Sequence, residues 1–193
     1  MNTDNYSNQE RLELISNMIN QAKSKISKND SFYLLLWGWT LVVANFGHYI
    51  IDKYNLYSRP WHVWNIIWFV YIIMAIRMMK KWKTSLIKGH YENSSGLIWI
   101  FITACIFVTL LFMHKINYQH QPFILLFAGI GQFMMGILLR FKPFIIGAVI
   151  LFIGSVSCLF ISVMEQNLLA GIVYILGFLI PGYMVRKIEW KKL

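Results

Sequence analysis

The sequence predicts an all-α polytopic membrane protein, a bundle of six transmembrane helices preceded by an amphipathic cytoplasmic helix. Three observations predict it. The chain is 58% hydrophobic and only 13% charged, too apolar for a soluble domain of ordinary composition. Six apolar blocks, at 32–51, 61–79, 97–114, 122–139, 143–162 and 168–185, each run about 18 to 20 residues, enough to cross about 30 Å of hydrocarbon as a helix. None alternates as a barrel strand would. The 18 Lys and Arg residues are also split unevenly between alternate connections. Four precede the first block, five lie between Arg77 and Lys88, two are Arg140 and Lys142, and four are in the tail. The intervening connections hold two, one and none. The positive-inside rule then places both termini in the cytoplasm, a parity that six spans satisfy. The net charge of +10 is explained by this topology and does not call for nucleic acid as a partner.

Residues 1–31 form a polar arm without the apolar core of a signal peptide. Within it Leu12, Ile15, Met18, Ile19, Ala22 and Ile26 recur at helical spacing, and Ser7 and Glu10 are spaced as a capping box. The arm therefore reads as an amphipathic helix with Lys23, Lys25 and Lys28 available to anionic lipid. Two roles follow for it: a dock for a protein partner or in-plane anchor, or a helix that completes the underside of the bundle.

Residues 32–185 form the membrane domain, with Trp37, Trp39, Trp61, Trp64 and Trp82 near block ends, where interfacial aromatics collect. Pro122 and Pro143 stand at first helical positions, where a missing N–H is tolerated, whereas Pro181 lies late in the last block and should kink or loosen it. Between them, Gly129 and Gly136, and likewise Gly147 and Gly154, are seven residues apart, two turns along one helix face. Counted from Phe141 the four glycines fall at matching distances, so a tight hairpin is expected in which they meet. Residues 186–193 form a basic cytoplasmic tail.

Chemistry is sparse. No Asp, Glu, Lys or Arg sits near the middle of a block, which weighs against an ion-coupled carrier or an intramembrane enzyme. Walker, GxSxG, HExxH and CxxCH patterns are missing from the sequence, and Cys105 and Cys158 fall inside apolar blocks as small fillers. Asn45, Asn65 and Gln132 would line a polar path, or hydrogen-bond between helices as such residues commonly do. On the outer side His48, His62, His114 and His120 form the one constellation with metal-ligand chemistry, accompanied by Asp52, Met113 and Glu165. No pair has a dedicated ligand spacing, so interfacial imidazoles bonded to water and headgroups, or a pH-responsive group, compete with a metal site. No cofactor is expected beyond that metal.

The run Gly129-Ile-Gly-Gln-Phe-Met-Met-Gly136-Ile-Leu-Leu-Arg-Phe-Lys-Pro143-Phe-Ile-Ile-Gly147, with Leu36-Trp-Gly-Trp39 and Ile180-Pro-Gly-Tyr183, resembles a family of uncharacterised bacterial six-span integral membrane proteins. The resemblance covers most of the chain and implies fold and location alone, the bacterial cytoplasmic membrane, with no site residues to carry over. The glycine-spaced hairpin with Pro at its turn is also similar to small six-span acid-resistance membrane proteins. The expectation is a non-enzymatic membrane protein, a regulatory, stress-response or partner-binding unit, whose candidate partners are the bilayer, a protein at the N-terminal helix and a second copy of itself. The alternative is a small transporter or channel built around the amide path.

Overall fold

A run of apolar residues uninterrupted by turn signals pairs every backbone N–H and C=O within one segment only when it coils into a helix. In the computed structural model, which describes residues 30–84 and 90–190, all regular structure is helical. In order it comprises α1 (Asp30–Lys53), a 3₁₀ turn (Pro60–Asn65), α2 (Ile66–Thr84), α3 (His90–Leu111), a second 3₁₀ turn (Met113–Ile116), α4 (Gln121–Leu139), α5 (Lys142–Cys158), α6 (Val163–Tyr174), a π turn (Ile175–Leu179) and α7 (Ile180–Trp190). The amphipathic helix expected in the N-terminal arm, with its Ser7–Glu10 box, and tail residues 191–193 lie outside the described residues.

Among the described residues, three helices are long and apolar enough to cross a membrane: Ser31–Lys53, Gln121–Leu139 and Val163–Lys187. Ser95–Leu111 and Lys142–Cys158 are shorter apolar helices. α2 has 19 residues, but Arg77, Lys80, Lys81 and Lys83 crowd its second half. Trp68 and Phe69 on α2 and Ile100 and Phe101 on α3 are 67–68% exposed, an apolar coat that water would penalise and lipid would cover.

Local chemistry sets the boundaries. α1 ends where Asn55 takes the left-handed conformation, which Asn tolerates well. Pro122 and Pro143 stand in the first turn of α4 and α5, each as the second residue, one place inside the start the sequence predicts. The link between these helices is two residues, Arg140 in left-handed geometry at φ 52° and Phe141 extended, and Phe141 N–H donates back to the Gly136 carbonyl at 2.9 Å, a Schellman closure. α6 begins earlier than the apolar block at 168 suggests. Ser162 and Glu165 form a complete capping box, so the helix starts at Val163 and takes in Gln166 and Asn167.

α1, α4, α5 and the rod formed by α6, the π turn and α7 pack together, and the α4–α5 hairpin makes the most extensive contact. Leu35, Val42, Leu125, Leu151, Val173, Tyr174 and Phe178 fill the space between them. α2 leans on α1 and its 3₁₀ turn, and α3 packs mainly on α4. Edge-to-face contact of Trp37 with Tyr71, a Trp37 Nε1–H bond to the Met74 sulfur at 2.9 Å, and Arg77 stacked 3.7 Å from the Phe32 ring centre hold the stretch 71–77 of α2 to α1.

Candidate functional site

Polarity inside the bundle is concentrated at one end of its four central helices. Asn45 on α1 donates Nδ2–H to the Leu41 carbonyl of the preceding turn at 2.8 Å, which leaves its Oδ1 facing inward. Gln121, the first residue of α4, donates from Nε2 to that oxygen at 2.9 Å and to Asn167 Oδ1 on α6, also at 2.9 Å. One amide group thus ties three helices together with both of its hydrogens. All three residues are buried, and Oε1 of Gln121 has no protein partner. Beside them Gln166 Nε2 donates to the Cys158 carbonyl at 3.0 Å, closing a C-terminal carbonyl of α5 that has no intrahelical donor. Ser155 Oγ donates to the Pro122 carbonyl at 2.7 Å and bridges α5 to α4. Oε1 of Gln166 and the Tyr174 hydroxyl are buried without partners.

A second polar contact lies deeper, and a proline creates it. Pro181 has no N–H to give to the carbonyl four residues earlier, Gly177, and its ring crowds that carbonyl. The rod answers with the π turn Ile175–Leu179, and Gln132 of α4 supplies the missing donor, Nε2 to the Gly177 carbonyl at 2.6 Å. Gly147 of α5 makes room for this bond: a Cβ there would collide with Gln132 Nε2 and the Gly177 oxygen. Gln132 Oε1 is left without a partner.

The four hairpin glycines all lie at helix contacts, but they do not meet one another. Gly129 faces the Ala148 carbonyl and Leu151 of α5, and Gly136 faces Phe144 and Ile145. Gly147 and Gly154 turn instead toward the rod, Gly154 against Val173. Matching depth along two helices does not set rotation about their axes, and here α5 is wedged between α4 and the rod. The three amides of the expected polar path are likewise separate. Asn45 joins Gln121, Gln132 joins Gly177, and Asn65 is exposed in the 3₁₀ turn with its Nδ2 3.3 Å from His62 Nδ1.

The four histidines expected on the outer side divide in the same way. His48 Nδ1 accepts from Trp64 Nε1–H at 2.9 Å, while His62 stacks on Trp61 with ring centres 4.0 Å apart. His114 is exposed in its 3₁₀ turn. His120, at the N-cap of α4, has Nδ1 2.7 Å from the Tyr118 carbonyl. Burial holds the His120 imidazole below its ordinary value, against the opposing pull of that carbonyl. Among the described residues no three His, Cys, Asp or Glu side chains are placed to hold one metal ion. Glu165 is occupied in its capping box with Ser162, so it does not orient an imidazole.

Gln121, Gln166 and Asn167 are the residues that block-by-block reading passes over, because hydropathy assigns them to connections. Two local signals mark them: Gln121 immediately precedes a helix-starting Pro122, and Gln166-Asn167 follows Ser162-x-x-Glu165. Comparison with family models, with curated proteins and with solved structures finds no match to the chain.

Proposed function

We propose that the protein is a six-span integral membrane protein of the bacterial cytoplasmic membrane, with both termini inside, that acts without chemistry of its own as a regulatory, stress-response or partner-binding unit. The observation that carries this reading is how the buried polar groups are used. Gln121, Asn45 and Asn167 join α4, α1 and α6, Ser155 joins α5 to α4, and Gln132 joins α4 to the rod. Each acts as an interhelical tie in a glycine-packed interior, which is what a membrane scaffold needs. Partner recognition then falls to the cytoplasmic arm 1–31. Crosslinking of tagged protein in native membranes, read by mass spectrometry, should yield a protein recovered in near-equal amount with the full chain and lost on deleting residues 1–31. The same set of proteins from both chains would end the reading.

A small transporter or channel is the second reading. It draws on the buried, unpartnered oxygens of Gln121, Gln132, Gln166 and Tyr174, which a solute could satisfy. Stopped-flow light scattering of proteoliposomes under glycerol, urea and sodium chloride gradients tests it. Shrinkage and reswelling no faster than in empty liposomes would remove it for those solutes.

A further inference from the structure

We propose that His48 and Trp64 form an acid-released latch that holds the 3₁₀ turn Pro60–Asn65, and with it the head of α2, against α1. The bond runs from Trp64 Nε1–H to His48 Nδ1 at 2.9 Å, with the rings edge to face and 6.4 Å between centres. An indole nitrogen only donates, and a neutral imidazole has one accepting nitrogen. The contact therefore requires the neutral His48 tautomer that carries its hydrogen on Nε2. When the Nδ1 lone pair takes a proton from water, two N–H groups face each other and the acceptor is gone.

Around that bond no residue of Pro60–Asn65 is fully buried, and Val63 packs beside Gly47, where a Cβ would lie 3.0 Å from Val63 Cγ1. Further along, the stretch 71–77 of α2 is secured through Trp37, Tyr71, Met74 and the Arg77–Phe32 stack. Helix α2 is thus held near its middle and latched at its head. Loss of the His48 acceptor frees the latched end.

The titratable groups that face His48 come from several elements. Asp52 lies one turn further along α1, and His120 stands at the head of α4. From the 3₁₀ turn His62 is engaged with Asn65, and from α6 Glu165 is held in its capping box. Asn45 sits one turn before His48, and Gln121 directly follows His120, so the latch overlies the amide cluster. That this end faces the outer compartment rests on the topology proposed above. The latch itself does not, because protein in detergent meets protons from every side.

The test is nuclear magnetic resonance of the full chain in micelles, with ¹⁵N-labelled tryptophan and histidine and the Trp64 indole signal assigned through Trp64→Phe. Between about pH 8 and about pH 5, the span over which imidazoles titrate, the Trp64 indole signal should move along one titration curve and be lost to solvent exchange at the acid end. His48 ¹⁵N shifts should report the Nε2–H tautomer at the alkaline end and double protonation with the same midpoint. His48→Gln keeps an accepting oxygen that does not titrate, so its Trp64 signal should persist and be independent of pH. A pH-invariant Trp64 signal in the wild type, an Nδ1–H tautomer, or an unchanged titration in His48→Gln overturns the proposal. So does its disappearance in His120→Gln, which would assign the titration to the wrong imidazole.

Discussion

The Gly177 carbonyl shows how one residue's chemistry spreads through its neighbours. Pro181 removes the donor, the π turn re-aims the carbonyl, and Gln132 from another helix replaces the lost N–H. Gln132→Leu should therefore lower stability by about 1–3 kcal/mol, the cost of a buried group left unpaired. Unfolding in mixed detergent and sodium dodecyl sulfate measures it. Pro181→Ala returns an N–H to the rod, so the Gln132→Leu penalty should shrink in that background. Equal penalties in both would mean that the proline does not orphan the carbonyl. Arg140 supplies a second residue-scale test: a side chain in left-handed geometry costs of order 1–3 kcal/mol, and Arg140→Gly should raise the unfolding midpoint by relieving part of it. His120 supplies a third. Its folded pKa is lowered by burial, so its contribution to stability is intact above the unfolded value of about 6.5 and declines as pH falls through the lower folded value. His120→Gln should flatten that acid-side loss, and an unchanged pH profile would assign the loss elsewhere.

At the scale of elements, the contacts of a helix depend on which way each face is turned, and the glycines make this measurable. Gly147→Ala places a methyl against Gln132 and the Gly177 carbonyl and should cost about 1–3 kcal/mol, as overpacking does. Gly96 on α3 has open space around its Cβ position, so Gly96→Ala should be neutral or stabilise by about 0.4–1 kcal/mol. Equal effects at the two sites would mean that the α5–rod contact is loose. The hairpin was legible in the sequence because Pro143 and the turn residues Arg140 and Phe141 punctuate two apolar runs. Rotation was not legible, since a seven-residue spacing selects a face without saying which neighbour it meets. The starts of α4 and α6 were blurred for a related reason. Averaged hydropathy discards Gln121, Gln166 and Asn167, yet these polar ends are buried because they bond to other helices. The separation of the four outer histidines was equally hidden, because neighbouring span ends in sequence do not fix which ends are neighbours in space.

For the whole molecule, helices of unequal apolar strength must share one bilayer if the proposed six spans hold. Among the described residues three are long and apolar enough to insert by composition, and α1, α4 and the rod are also the three that Gln121, Asn45, Asn167 and Gln132 tie together. α2, with four bases in its second half, inserts less readily by itself and gains from α1, against which Arg77 and Trp37 hold it. In the proposed six-span topology those bases fall on the same side as Arg140 and Lys142, and the positive-inside rule would make that side cytoplasmic. In a Cys105→Ala, Cys158→Ala background, single cysteines at Ser7, Gly89 and Leu193 should resist a membrane-impermeant maleimide in intact cells. Cysteines at Leu56 and Asn117 should react with it. Outside labelling at Gly89 together with protection at Leu56 would mean that α1 and α2 do not cross as a pair, and the six-span topology would fall with them.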